Sequence, residues 1–199
     1  MNKDIILAIE NHKMWIDSLG KKGRKIDLEE IIIEKGKWKN ISLAQGSIIN
    51  CSFQKIEIEN WDFYAAMLCS SCFVETIITS GQLVKTNLAY TQFINTKIKF
   101  SNFSKSDLSN CIFKNTEIDN SKFVNSLLDN VSFENVKLRN IDFTGAFIED
   151  VIFDKYTMVE GIYGLDDSHI KSINIGTAKQ PQYIKEKEAI QWLKYRMNN

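Results

Sequence analysis

Residues 86–135 read TNLAY, TQFIN, TKIKF, SNFSK, SDLSN, CIFKN, TEIDN, SKFVN, SLLDN, VSFEN when broken every five residues. The third residue of each unit is large and apolar without exception: Leu88, Phe93, Ile98, Phe103, Leu108, Phe113, Ile118, Phe123, Leu128 and Phe133. The register extends outward in both directions. Upstream it runs back through Phe53, Ile48, Leu43, Trp38 and Ile33 to Leu28, and downstream through Phe143, Ile148 and Phe153 to Met158. Apolar residues are 44% of the chain, so an unbroken run of this length does not arise by chance. Neither the 3.6-residue period of a helix nor the two-residue period of a strand produces it. A period of five means that each unit turns a corner and sends its central side chain inward.

The residue two before each centre is mostly small, as at Ser71, Thr86, Thr96, Ser106, Thr116 and Ser126. One small and one large inward residue, separated by an outward one, is the alternation of a very short strand. The residue two after the centre is Asn at 110, 115, 120, 125, 130, 135 and 140. Asn tolerates tight-turn dihedrals and bonds its own backbone, which marks this position as the corner. A second period lies on top. Phe recurs every twenty residues from Phe53 to Phe153, Ile from Ile58 to Ile118, and Leu from Leu68 to Leu128. Four units per coil, stacked at about 4.8 Å, place like on like. The expected fold is all-β: a four-sided parallel β-helix solenoid of about 6.5 coils, roughly 31 Å long at that spacing. Each buried centre contributes about 1.5–3 kcal/mol before chain entropy is set against it. The one proline, Pro181, falls outside the ladder, where every N–H is needed.

The units TNLAY (86–90), SDLSN (106–110), SKFVN (121–125) and AFIED (146–150) resemble the A(D/N)Lxx unit of the bacterial pentapeptide-repeat family. The resemblance covers roughly residues 26–160 and implies a right-handed quadrilateral β-helix. Ile31, Ile41, Ile56 and Trp61 are large where the family carries a small residue, so distortion is expected in the first coils, most of all at Trp61. Some members bind DNA gyrase or topoisomerase IV, mimic duplex DNA in shape and charge, and protect against quinolones. Some pair through their C-terminal ends. The resemblance therefore implies, as an alternative function, a DNA-mimic-like binder of a type II topoisomerase.

An open stack needs caps at both ends. Residues 3–19 read as a helix with Ile5, Ile6, Ile9, Trp15, Ile16 and Leu19 apolar, and Gly20 suits its C-terminal cap. The order His12–Trp15, Gly20–Gly23, Asp27–Leu28 looks like a lead-in common ahead of such repeats. After Gly161 and Gly164 the register is lost, and Ile170, Ile173 and Ile175 suggest an extended arm. Residues 184–197 read as an amphipathic helix. The expected organisation is a capping helix and loop over 1–25, the solenoid over 26–165, and an arm and helix over 166–199. The last helix serves either as a lid on the final coil or, through Ile190, Trp192, Leu193 and Met197, as the contact of a homodimer.

The composition excludes several classes of function. Lys+Arg and Asp+Glu are 25 each, so the net charge is zero and the pI about 6.7. A general nucleic-acid coat would be basic, and a uniform DNA mimic acidic. No apolar run reaches the ~18 residues of a membrane span. The N-terminus is a poor signal peptide, and the thiols suit a reducing cytoplasm. Cys69-Ser-Ser-Cys72 straddles a corner without a second cluster, and Cys51 and Cys111 lie three coils apart, about 14 Å, too far to bridge. No phosphate loop, nucleophile elbow or HExxH motif is present. No catalytic residue, cofactor or metal is expected, and a filled rod offers no pocket.

What remains is surface pattern. Lys85, Lys97, Lys99 and Lys105 form a basic girdle, and from 107 to 154 nine acids face four bases. The face carrying the Leu column is the most one-sided. Asp107, Asp129 and Glu149 flank it, Asp150 stands at its corner, and Leu127 and Phe147 point outward beside them. Acids interleaved with exposed apolar groups suggest a protein contact. The expected function is a non-enzymatic protein-binding module, using this surface toward a protein partner, with neither nucleic acid nor membrane bound directly.

Overall fold

The computed structural model describes residues 3–197. Helix α1 (Lys3–Asp17) leads into short parallel strands, and helix α2 (Glu186–Arg196) closes the chain. Between them the chain winds as a four-sided solenoid of about 7 turns. Like pairs with like twenty residues on: Phe53 with Phe73, Phe73 with Phe93, Phe93 with Phe113, and Ile58 with Ile78, Ile98 and Ile118 in turn. The central side chains are sealed inside, from Ile33 to Phe153. The Phe53, Phe73, Phe93 and Phe113 rings stack at 4.6, 5.0 and 4.8 Å between centroids, with planes within 7°. Those separations exceed the ~3.5 Å contact distance of carbon atoms, so the rings are offset along the column, the arrangement their quadrupoles prefer. Toward the C-terminal end the column tilts, with Phe133 and Phe153 at 5.3 Å and 29°.

The corners follow the predicted period. Every fifth residue from Glu30 to Asp150 has φ between 48° and 65°. Asn is favoured there because it tolerates the left-handed region. Its side chain, however, does not bond its own backbone as the sequence suggests. Asn60 donates to Asn40 at 3.1 Å, Asn115 to Asn95 at 3.1 Å, Asn135 to Asn115 at 2.9 Å and Asn130 to Asn110 at 2.7 Å. The corner amides form ladders along the rod. The local turn bond comes instead from the residue before the centre: Asn87 accepts from the Ala89 N–H, Asn102 from Ser104, Asp107 from Ser109 and Asp142 from Thr144.

Inward hydroxyls tie each coil to the one before. Thr76 donates to the Phe53 carbonyl, Thr86 to Phe63, Thr91 to Leu68, Thr96 to Phe73 and Thr116 to Phe93. Trp61, where distortion is expected, makes the same bond with its indole N–H, to the Trp38 carbonyl at 3.2 Å. The strands Ile32–Lys39 and Ser52–Glu59 pair in register on both sides of the corner at Lys35 and Lys55. The ladder is undisturbed at Trp61, whereas in the first coil the inward positions Ile31 and Ile41 are only partly buried and Gly36 is exposed with φ of 137°.

The register does slip near the end. Lys137 pairs with Met158 and Leu138 with Val159, one residue out of phase. The extra residue sits in the corner segment 154–156. Consequently Met158, read from sequence as the last inward centre, is 47% exposed, and Val159 takes its place at 3%. A second extra residue follows, since Phe147 pairs with His169. Parallel pairing nevertheless runs past residue 165, the expected end of the solenoid, to the strand Ser172–Asn174. The strand Tyr183–Lys185 then turns back antiparallel on that strand. Among the described residues, no helix is long and apolar enough to cross a membrane.

Candidate interaction surface

The Leu face ends in a row of outward side chains, Asp107, Leu127, Phe147 and His169, set on neighbouring rungs. The alternation of the strand puts them outside, and the corner at every fifth residue keeps them in one line. Leu127 is 41% exposed and Phe147 51%. Phe147 and His169 stack at 4.7 Å with planes 23° apart. The second outward row is Asp129, Glu149 and the residue that follows Ile170, Lys171.

The six residues read from sequence as one acidic surface differ in what they leave available. The Asp107 carboxylate accepts from both the backbone N–H and the hydroxyl of Ser109, at 2.9 and 2.6 Å, so it is held in its own turn. Glu149 is ion-paired with Lys171, and Asp150 accepts from the Ser172 hydroxyl. The Lys171 ammonium is held above its usual range first by Glu149, with Asp150 and Asp129 adding their fields. The acids form one cluster, and a cation of the chain itself already sits in it. The same holds elsewhere. Arg139 bridges Glu117 and Glu160 at 3.2 and 2.8 Å, and Lys114 meets Glu134 at 3.2 Å. The acidic excess read between 107 and 154 already counts Lys114 and Arg139, so of these bases only Lys171 reduces it, while the ion pairs interrupt it along the rod.

Sequence reasoning kept the Leu-face residues and the last helix apart, and the structure brings them together. Leu127, Phe147, Glu149, His169, Lys171 and Ile190 border one groove of about 590 Å³. One wall is the Leu face and the other is α2. The remaining helix residues named for a dimer contact are engaged by their own chain. Leu193 is 1% exposed, Trp192 packs on Phe153 at 6.1 Å and the Met197 sulfur accepts from the Ile162 N–H at 3.2 Å. His169 and the groove are what sequence reasoning missed. The two inserted residues hide the pairing of His169 with Phe147.

Cys111 is fully buried, its thiol donating to the Leu88 carbonyl at 2.9 Å, and burial pushes its pKa far up. Burial also raises that of Cys51. All four cysteines are free. Among the described residues, no three of His, Cys, Asp and Glu converge as a metal would require.

Comparison with known proteins adds the following. The family described as a pentapeptide repeat region matches over residues 46–123 and 91–160. No curated protein matches the chain. Among solved structures, a trypsin-treated form of QnrB1, a plasmid-mediated fluoroquinolone resistance protein, is 10% identical with a TM-score of 0.46, covering 88% of this chain and 93% of that one. Another trypsin-treated form is 19% identical with a TM-score of 0.43, covering 59% of this chain and 56% of that one. HetL, a pentapeptide repeat protein involved in heterocyst differentiation regulation in the cyanobacterium Nostoc sp. strain PCC 7120, is 13% identical with a TM-score of 0.24, covering 88% and 97%. The matched segments, the twenty-residue pairing and the left-handed corner every five residues coincide, and on that agreement the chain belongs to the pentapeptide-repeat family.

Proposed function

We propose that this chain is a non-enzymatic docking rod, acting in the cytoplasm, that holds a protein partner in the groove between the end of its Leu face and α2. The observation that carries this reading is the outward pair Leu127 and Phe147, half-exposed on adjacent rungs of a rigid ladder and bordered by an acid cluster. A rigid ladder loses little conformational entropy on binding, so a small apolar contact suffices to anchor a partner. Asp129, Glu149 and Asp150 already draw in the Lys171 ammonium. The partner chemistry that fits is an apolar side chain flanked by Lys or Arg, the base exchanging with Lys171 at the rim.

The test compares affinity capture from a bacterial lysate by the wild-type chain, by Phe147→Lys with Asp129→Lys, and by Lys97→Glu with Lys99→Glu on the opposite face. A band lost only with the first pair is the expected result. The same bands from all three proteins overturn the reading.

The alternative, a DNA-mimic-like binder of DNA gyrase or topoisomerase IV, requires a continuous negative field along the rod. The pairing of Glu117, Glu134 and Glu149 with bases on neighbouring rungs argues against it. Supercoiling by purified gyrase, with and without a quinolone, separates the two readings. Unchanged activity at micromolar protein is expected, and inhibition or protection would favour the mimic.

A further inference from the structure

His12 lies in α1 and is 0% exposed. Its Nδ1 accepts the Ile26 N–H at 3.1 Å. Ile26 is the inward residue two before Leu28, the first centre of the solenoid. In later coils of this column the inward residue's N–H turns back on the carbonyl three residues before it, as Gly46 does on Leu43 and Ser106 on Phe103. In the first coil the imidazole of the cap takes that N–H instead. The ring also stacks on Trp15 at 5.6 Å with planes 12° apart. The lead-in chain is drawn tight against the helix. A Cβ on Gly23 (φ +73°) would stand 2.1 Å from the Asn11 carbonyl oxygen, and the Arg24 N–H donates to that same oxygen at 3.2 Å.

Because Nδ1 accepts, the proton of the neutral ring is on Nε2. Nε2 is buried without a hydrogen bond of ordinary geometry. We propose that His12 is a proton-sensitive latch: neutral, it fastens α1 to the first coil, and protonated, it releases the helix and uncovers that end of the rod.

Protonation would place an N–H at Nδ1 facing the Ile26 N–H, two donors without an acceptor between them. It would also bury a cation. Desolvation is the main influence holding the His12 pKa below its ordinary value; the Ala44 backbone opposes it, and the Lys25 charge, from the lead-in chain, works in the same direction as burial. The sign follows. The docked helix binds the proton more weakly than the released one, so docking is at full strength above 6.5, the free value, and weakens as pH falls below it toward the lowered docked value. What the helix leaves behind is apolar: Ile5 of α1 packs in one cluster with Ile26, Ile33, Trp38 and Leu43.

Hydrogen exchange of the full chain, expressed as protection factors between about pH 7.5 and 5, reads this directly. The expected result is protection of the α1 and Ile26 amides falling by up to about tenfold per pH unit below 6.5, with the central coils unchanged. His12→Asn places a non-titrating oxygen where Nδ1 stands, and protection in that variant should no longer depend on pH. Nitrogen NMR of the His169→Asn variant, in which His12 is the remaining histidine of the chain's 2, reads the ring itself. It should show Nε2–H at neutral pH and a titration below the ordinary value. Titration at or above that value, the opposite tautomer, or the same pH course in the Asn variant would each overturn the latch.

Discussion

The column that holds Trp61 continues as Gly81 and then Ser101, two of the smallest residues available. The indole fits because it packs on Trp38 and Phe63, at 5.2 and 5.3 Å between ring centroids, and because its N–H delivers the bond to the preceding coil that Thr and Ser hydroxyls deliver elsewhere. A family pattern of small residues therefore encodes two requirements, volume and a donor. Only volume was legible, so Trp61 looked wrong. Trp61→Phe keeps most of the volume and removes the donor, and should cost about 1–3 kcal/mol in urea unfolding through the orphaned Trp38 carbonyl. Trp61→Ala should cost about 3–5 kcal/mol through the cavity as well. The corners carry an opposite expectation. Tyr90 and Phe100 hold φ of 63° and 52°, where a bulky residue is strained. Tyr90→Asn should raise stability by about 0.5–1 kcal/mol, seen as a higher melting temperature. The thiols separate in the same way. Cys51 and Cys111 are buried with raised pKa values, whereas Cys69 and Cys72 are half-exposed. A thiol reagent at about pH 8 should modify only Cys69 and Cys72 in the folded chain, with the other two reacting on denaturation.

Among the elements, pairing explains what was readable. A residue and its partner twenty positions on share one environment, so the Phe, Ile and Leu columns appear in the sequence as plain recurrence. Charge follows the same rungs, with opposite signs on successive coils at Lys37 and Glu57, Lys39 and Glu59, and Lys114 and Glu134. Such pairs add a favourable contact to the rungs they sit on. The pairing of Lys171 with Glu149 was hidden because two inserted residues shift its spacing to twenty-two. The acidic surface was overread for that reason, and Met158 was placed inward by the first of those insertions. The Phe column should register depth in the stack. Phe93→Ala sits between stacked rings on both sides and should cost about 3–5 kcal/mol. Phe153→Ala, whose neighbours are the tilted Phe133 and the Trp192 indole of α2, can relax into the space, and chemical denaturation should show a smaller loss.

For the whole molecule, stability is close to a sum of neighbouring coil contacts, and the ends are where that sum is incomplete. At the C-terminal end, α2 packs on the strands Met158–Tyr163, His169–Ile170 and Ser172–Asn174, burying Ala189 and Leu193. This is the arrangement of a lid, and it leaves Ile190 as the member of the expected dimer contact that borders the open groove. The distinction between lid and dimer was not in the sequence, because an amphipathic helix has the same pattern whether its apolar stripe meets its own chain or another. It can be drawn in solution. If α2 is a lid, the full chain runs as a monomer in light scattering, and removing residues 186–199 exposes Val159, Ile170 and Ile173 and drives self-association, an uncovered apolar end being an aggregation surface. If the helix is a dimer contact, the full chain is a dimer and the truncated chain a monomer. The burial of Leu193 within its own chain makes the first outcome the expected one.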